Sequence, residues 1–182
     1  DKDAYGRSAS VETFLHEIAH GVLSKSDDKI QAKLGSGSAG ALVEELKADT
    51  VNMSLLSRAI AQNEAKIDVE SQFLAKLGTL CDYLANKSDN PEDSGGRYFF
   101  TGLKIVHELL QSGSIERGES GKYAVHDARK GIEVMGNIGT TILAKYADPN
   151  TNPEAITAFA NQIIALKDEP MMKDFVAMVR GK

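Results

Sequence analysis

The sequence predicts an all-α fold with at most one short β-hairpin. Apolar residues recur at helical spacing along almost the whole chain, and sustained period-2 alternation is nearly absent. Clusters of loop-forming residues stand around 24–40, 86–96 and 148–153. With 182 residues, 42% of them hydrophobic, the chain is long enough for one well-buried core and short for two, so residues 1–182 read as a single helical domain.

The first helix is expected to start near Ser8 or Ser10, either of which offers a capping hydroxyl, and to end near Leu23. Its apolar face would be Val11, Phe14, Leu15, Ile18, Ala19 and Val22. Residues 24–40 are polar and then Gly/Ser-rich and read as a loop, although "DDKIQAKLG" has the spacing for a turn or two of helix. Gly35, Gly37 and Gly40 do not make a phosphate cradle, because no strand precedes them and no Lys-Ser/Thr follows; they read as a flexible connection. Leu42, Leu46, Val51, Leu55, Leu56, Ala59 and Ile60 mark a second helix from Ala41 to about Gln62, and Ile67 to Leu84 continues the pattern as a third. "NKSDNPEDSGG" is a surface loop, after which a fourth helix runs from about Tyr98 to Gln111.

Two short pieces around a Gly-Glu-Ser-Gly turn within 114–126 form the one credible hairpin. Asp127 is placed to cap a fifth helix through Tyr146, and Pro149 and Pro153 break it before closing helices at about 153–167 and 170–179. Met171, Met172 and Met178 read as core filler, and Cys81, the only cysteine, as a buried thiol.

Charge excludes some functions. A net charge of -5 and a pI near 5.4, with no basic run, argue against nucleic acid or an anionic membrane surface as partner. No apolar run reaches the roughly 18 residues of a membrane span, and no signal-peptide pattern opens the chain. A chain without disulfides fits either the cytosol or the periplasm.

The chemistry concentrates in "FLHEIAHGVL" at 14–23. On a helix, residues four apart share a face, so His16 and His20 can offer two ring nitrogens to one metal ion. Glu17 projects beside them, where a carboxylate can move a proton between water and a leaving group. A catalytic zinc usually takes a third protein ligand, and the next helix offers "VEELKADT". There Glu45 and Asp49 are four apart: Glu45 is the candidate third ligand, and Asp49 could accept the second N–H of His16 or His20 and fix its tautomer. Glu44 is the other carboxylate placed to support the ligands. The bland alternative is that Glu44, Glu45 and Asp49 form a solvated face, with Glu44 paired to Lys47.

With HEIAHG followed by EELKAD, the sequence resembles the dipeptidyl peptidase III family of zinc metallopeptidases, especially its bacterial relatives. "GRYFFTGLKIVHELLQSGSI" and "ALKDEPMMKDF" look like further family segments, which would carry the resemblance over most of the chain. It implies one zinc ion held by His16, His20 and Glu45, Glu17 as catalytic base, and Asp49 as an acid behind the ligands. The chain departs from the family in three ways. The best-known members have one more residue in the first motif, and the lobe that binds the peptide N-terminus is missing. Where the family often carries a histidine that stabilises the transition state, this chain reads "GRYFFTG", with Arg97 or Tyr98 nearest that place.

Tyr98, Arg97, Tyr123 and His126 are therefore the candidate substrate or transition-state contacts, and His107 is expected to be packed or capped. The function expected is a zinc-dependent hydrolase acting on a peptide or small molecule, with Glu17 as general base. Two rivals stand beside it: a zinc-binding but catalytically incomplete fragment, and a non-enzymatic helical interaction domain. Because the first metal ligand is already residue 16 and no initiator Met precedes it, the chain is expected to be the C-terminal part of a longer protein whose upstream lobe completes the cleft.

Overall fold

In the computed structural model, residues 2–24, 27–62 and 68–181 are described, residues 2–9 and Glu12 by their backbone alone. The helices are α1 (Lys2–Gly21), α2 (Asp28–Leu34), α3 (Ser38–Gln62), α4 (Val69–Asn86), α5 (Ser94–Gln111), α6 (Ala128–Ala147), α7 (Pro153–Ala165) and α8 (Pro170–Val179), with a 3-10 turn at Leu166–Asp168 between the last two. β1 (Ile115–Arg117) and β2 (Tyr123–Val125) form the expected antiparallel hairpin between α5 and α6, with Glu116 opposite Ala124. Among the described residues no helix is long and apolar enough to cross a membrane.

Local chemistry sets most helix starts. Asp27, Asp68, Asp93, Asp127 and Asn152 each accept backbone N–H groups from the first turn of the helix that follows, which satisfies donors a helix leaves open. Asp93 moves the start of α5 to Ser94, ahead of the expected Tyr98. The short helix within 24–40 forms as α2, and Lys33 in its last turn donates to the carbonyls of Tyr146 and Asp148 at 2.6 and 2.7 Å, capping the end of α6. Gly40 lies inside α3 rather than in a flexible connection. Ile67, the expected start of the third helix, lies outside the described residues; Ser8 and Ser10 fall inside α1, which begins at Lys2 and so is not capped by either.

α3 is the central element, packed against α1, α5, α6 and α7. Its contact with α6 depends on glycine: a Cβ on Gly139 would stand 2.7 Å from the Thr50 backbone, and one on Gly136 would stand 3.1 Å from the Ser54 Cα. The core joins Leu42, Val43, Leu46 and Met53 of α3 to Phe73, Phe100, Leu103, Ile132, Ile142 and Ile163 of its neighbours.

Three packing expectations are corrected. On α1, Val11, Phe14 and Ile18 are exposed, with Phe14 at 65%, whereas Ala19 is buried as expected, with Val22 packed against it. His16 shares that inward face with Ala19, so the buried side of the helix mixes a site residue with a small apolar one. Met178 is exposed rather than core, whereas Met172 is fully buried. Cys81 is half-buried rather than fully buried, and burial pushes its thiol pKa up.

Candidate metal centre

α1 and α3 cross so that the two sequence motifs meet. His16 and His20, one turn apart on α1, turn their Nε2 atoms toward each other at 3.1 Å. Glu45 Oε2 of α3 lies 3.8 Å from His16 Nε2 and 3.7 Å from His20 Nε2. These three residues form a group that could hold a metal ion. Donors about 2.0–2.1 Å from a tetrahedral zinc ion stand about 3.3–3.4 Å from one another, close to the spacing found here.

The hydrogen bonding behind the ligands fits a cation. His16 Nδ1 is 2.9 Å from Asp49 Oδ1, and His20 Nδ1 is 3.4 Å from Glu44 Oε1. With Nδ1–H donating to a carboxylate, each ring presents a bare lone pair at Nε2. Two such lone pairs and a carboxylate facing one another repel unless something positive stands among them. Glu45 Oε2 is buried with no hydrogen-bond partner, which is costly for a polar atom unless a ligand supplies one.

Both supporting carboxylates are buried and compensated. Asp49 is fully buried; burial alone would raise its pKa, but Lys76 at 2.5 Å and His16 outweigh it and hold the carboxyl below its ordinary value. Glu44 pairs with Lys47 at 2.7 Å and accepts the Tyr146 hydroxyl at 2.9 Å. Lys47 in turn donates to Val22 O at 2.8 Å, so its ammonium neutralises Glu44 and caps the end of α1. Thus Glu44 and Asp49 are not a solvated face, although the pairing of Glu44 with Lys47 is present. Burial lowers the pKa of His16, and the Asp49 contact more than reverses this, leaving it raised; burial raises that of Glu45, and the neighbouring imidazoles only partly offset it.

Beside this group lies a cleft of about 350 Å³ lined by Thr13, His16, Glu17, Thr79, Tyr83, Lys87 and Tyr98. Glu17 is exposed at its edge. Tyr98 belongs to it, and Arg97, the preceding residue on α5, acts electrostatically on Glu45. The hairpin candidates are elsewhere. Tyr123 bonds Asp174 at 3.0 Å over a separate groove against α8, and His126 is an exposed residue whose backbone N–H donates to Ser114 O. The hairpin packs at the far end of α5, so neither reaches the cleft. His107 is packed, with Glu108 and Glu169 at 3.1 and 3.2 Å.

Lys76, Tyr146 and Lys87 were not singled out by the sequence, and Lys47 only as the partner of Glu44 on a solvated face. A signal existed for two of them: Lys76 falls in the apolar register of Phe73, Leu80 and Leu84, and Lys47 in that of Val43 and Val51, where a charge needs a buried partner.

No protein-family model, curated protein or solved structure matches the chain.

Proposed function

We propose that the protein is a zinc-dependent hydrolase, and that its substrates are peptides. The observation that carries the reading is the convergence of His16 Nε2, His20 Nε2 and the partnerless Glu45 Oε2 at 3.1–3.8 Å beside an open cleft containing Glu17. His16, His20 and Glu45 would hold one ion, with Asp49 and Glu44 orienting the rings. When bound, zinc supplies a Lewis acid that polarises a carbonyl and lowers the pKa of water to about 7. Glu17 takes the proton from water and delivers it to the leaving nitrogen. Tyr98 lines the same cleft, and its hydroxyl would be the donor to the oxygen that gains charge as the carbonyl is attacked. The resemblance of HEIAHG and EELKAD to the dipeptidyl peptidase III motifs supports a peptide bond as the one cleaved.

The test is metal analysis and a peptide panel on protein purified without a tag. Stoichiometric zinc, hydrolysis by the parent chain, and loss of hydrolysis with zinc retained in Glu17→Gln are expected. Absence of zinc refutes the metal; activity surviving in Glu17→Gln refutes the base.

A second reading is a metal-holding helical domain whose cleft is completed by a covering partner. It is favoured by the exposed apolar stripe of Val11, Phe14 and Ile18 on the ligand helix. Zinc retained without hydrolysis by the parent chain is the outcome that selects it.

A further inference from the structure

Each deep carboxylate around the metal group already has its counter-charge. Glu44 has Lys47 at 2.7 Å, Asp49 has Lys76 at 2.5 Å, and Glu45 Oε2 faces the two imidazoles. Lys87 is different. It is the C-cap residue of α4, its backbone N–H donating to Tyr83 O, and its half-buried side chain lines the cleft with His16 and Glu17. The ammonium lies 5.8 Å from the centre of the Tyr98 ring, and among the described residues no carboxylate pairs with it.

An ammonium is a compact charge with three donors, and one aromatic face leaves some of them to water or to a ligand. The rest of the lining is also specific. Tyr83 and Tyr98 stand 5.1 Å apart as a tilted ring pair, and Thr13 and Thr79 complete the lining, the Thr79 hydroxyl donating to Ala75 O at 3.3 Å. The cleft thus has a cationic end at Lys87, an aromatic wall, and the metal group with Glu17. Arg97 adds a second positive charge near Glu45. At about 350 Å³ the cleft is near the lower limit of small-ligand sites, roughly 300–1,000 Å³, which suits the end of a short peptide better than a long chain. A bare inorganic anion would meet Lys87 but leave the aromatic pair unused.

We propose that the cleft binds short peptides by the free C-terminal carboxylate, with Lys87 as the specificity-determining residue, so that cleavage falls close to the C-terminus. The cleavage rests on the hydrolase reading; the carboxylate contact does not. One water is consumed: its oxygen bonds to the acyl carbon, the amide C–N bond breaks, and the leaving nitrogen takes a proton carried by Glu17.

The experiment is calorimetric titration of trialanine, trialaninamide and inorganic phosphate into zinc-loaded Glu17→Gln protein, which does not turn over, and into metal-free parent protein. Trialanine is expected to bind at least tenfold tighter than its amide. Lys87→Met should bring the acid to the affinity of the amide without moving the amide, with zinc content and thermal midpoint unchanged, and Lys87→Arg should keep most of the preference. Undetectable trialanine binding, equal binding of acid and amide, or equal weakening of both in Lys87→Met overturns the proposal. Phosphate that displaces trialanine at equal concentration overturns the peptide assignment in favour of a general anion site. Zinc content is measured on the same samples, so a missing metal would fail the hydrolase reading while the metal-free titration still decides the carboxylate contact.

Discussion

Lys76 Nζ lies 2.5 Å from Asp49 Oδ1, and both side chains are fully buried, one on α4 and one on α3. Removing one member of such a pair strands the other charge in the interior, at a cost of about 3–5 kcal/mol. Lys76→Met is therefore expected to lower unfolding free energy by about that amount, as read by urea denaturation. The double variant Lys76→Met/Asp49→Leu should lose markedly less, because no charge is left alone.

Glu45 should behave in the opposite way. In the metal-free protein its buried Oε2 has no hydrogen-bond partner, and burial raises its pKa. Glu45→Met is expected to leave the metal-free protein as stable as the parent or more so, while abolishing stoichiometric zinc. Thermal midpoints with and without chelator, beside metal analysis, check both halves.

If His16 is a zinc ligand as proposed, zinc and protons compete for it. Its pKa is raised in the metal-free fold, chiefly because the Asp49 contact overcomes the burial penalty. The stability this adds is complete below the unfolded value of about 6.5 and is lost as pH rises through the folded value. Metal needs the deprotonated Nε2, so zinc-induced stabilisation should be larger at pH 8 than at pH 6. A ligand at a thousandfold its dissociation constant contributes about 4 kcal/mol, on the order of 10 °C in midpoint for a chain of this size, enough for scanning calorimetry to resolve.

Asp49 carries the complementary dependence. Its pKa is depressed, so its contribution is present above the unfolded value of about 3.9 and is lost as pH falls through the folded one. Asp49→Asn should flatten acid unfolding below about pH 4, seen as a smaller stability loss between pH 5 and pH 3 than in the parent.

The two aromatic positions Phe14 and Phe73 should separate sharply. Phe73 is fully buried and Phe14 is 65% exposed. Phe73→Ala is expected to cost about 3–5 kcal/mol, and Phe14→Ala within about 0.5 kcal/mol, in the same denaturation series.

Most of the fold was legible because it rests on local chemistry. Helical spacing places α3 to α8, Asp127 caps α6 as its position suggests, and the Gly-Glu-Ser-Gly turn marks the hairpin. That His16 and His20 share one face, and Glu45 and Asp49 another, was legible because i, i+4 spacing is a property of one helix; their meeting was expected from the chemistry of a third ligand. What failed is what one helix does not encode. The apolar positions Val11, Phe14 and Ile18 lost the interior because α1 turns His16 and Ala19 inward, and no spacing rule ranks a buried polar cluster above an apolar stripe. The pairing of Lys47 with Glu44 was legible at i, i+3, but its burial was not, and Lys76 finds its carboxylate on another helix. His126 and Tyr123 were grouped with Tyr98 by residue type, and the length of α5 separates them.

The lysine clamps have a consequence for the order of events in assembly. Glu44 with Lys47 and Asp49 with Lys76 are neutral pairs before any ion arrives, and Lys47 already ties the end of α1 to α3. Glu45 has no lysine of its own among the described residues. Folding can therefore finish first and loading follow, so the ion would be a late, exchangeable passenger in a finished cage, unlike structural zinc sites whose chains collapse only around the metal.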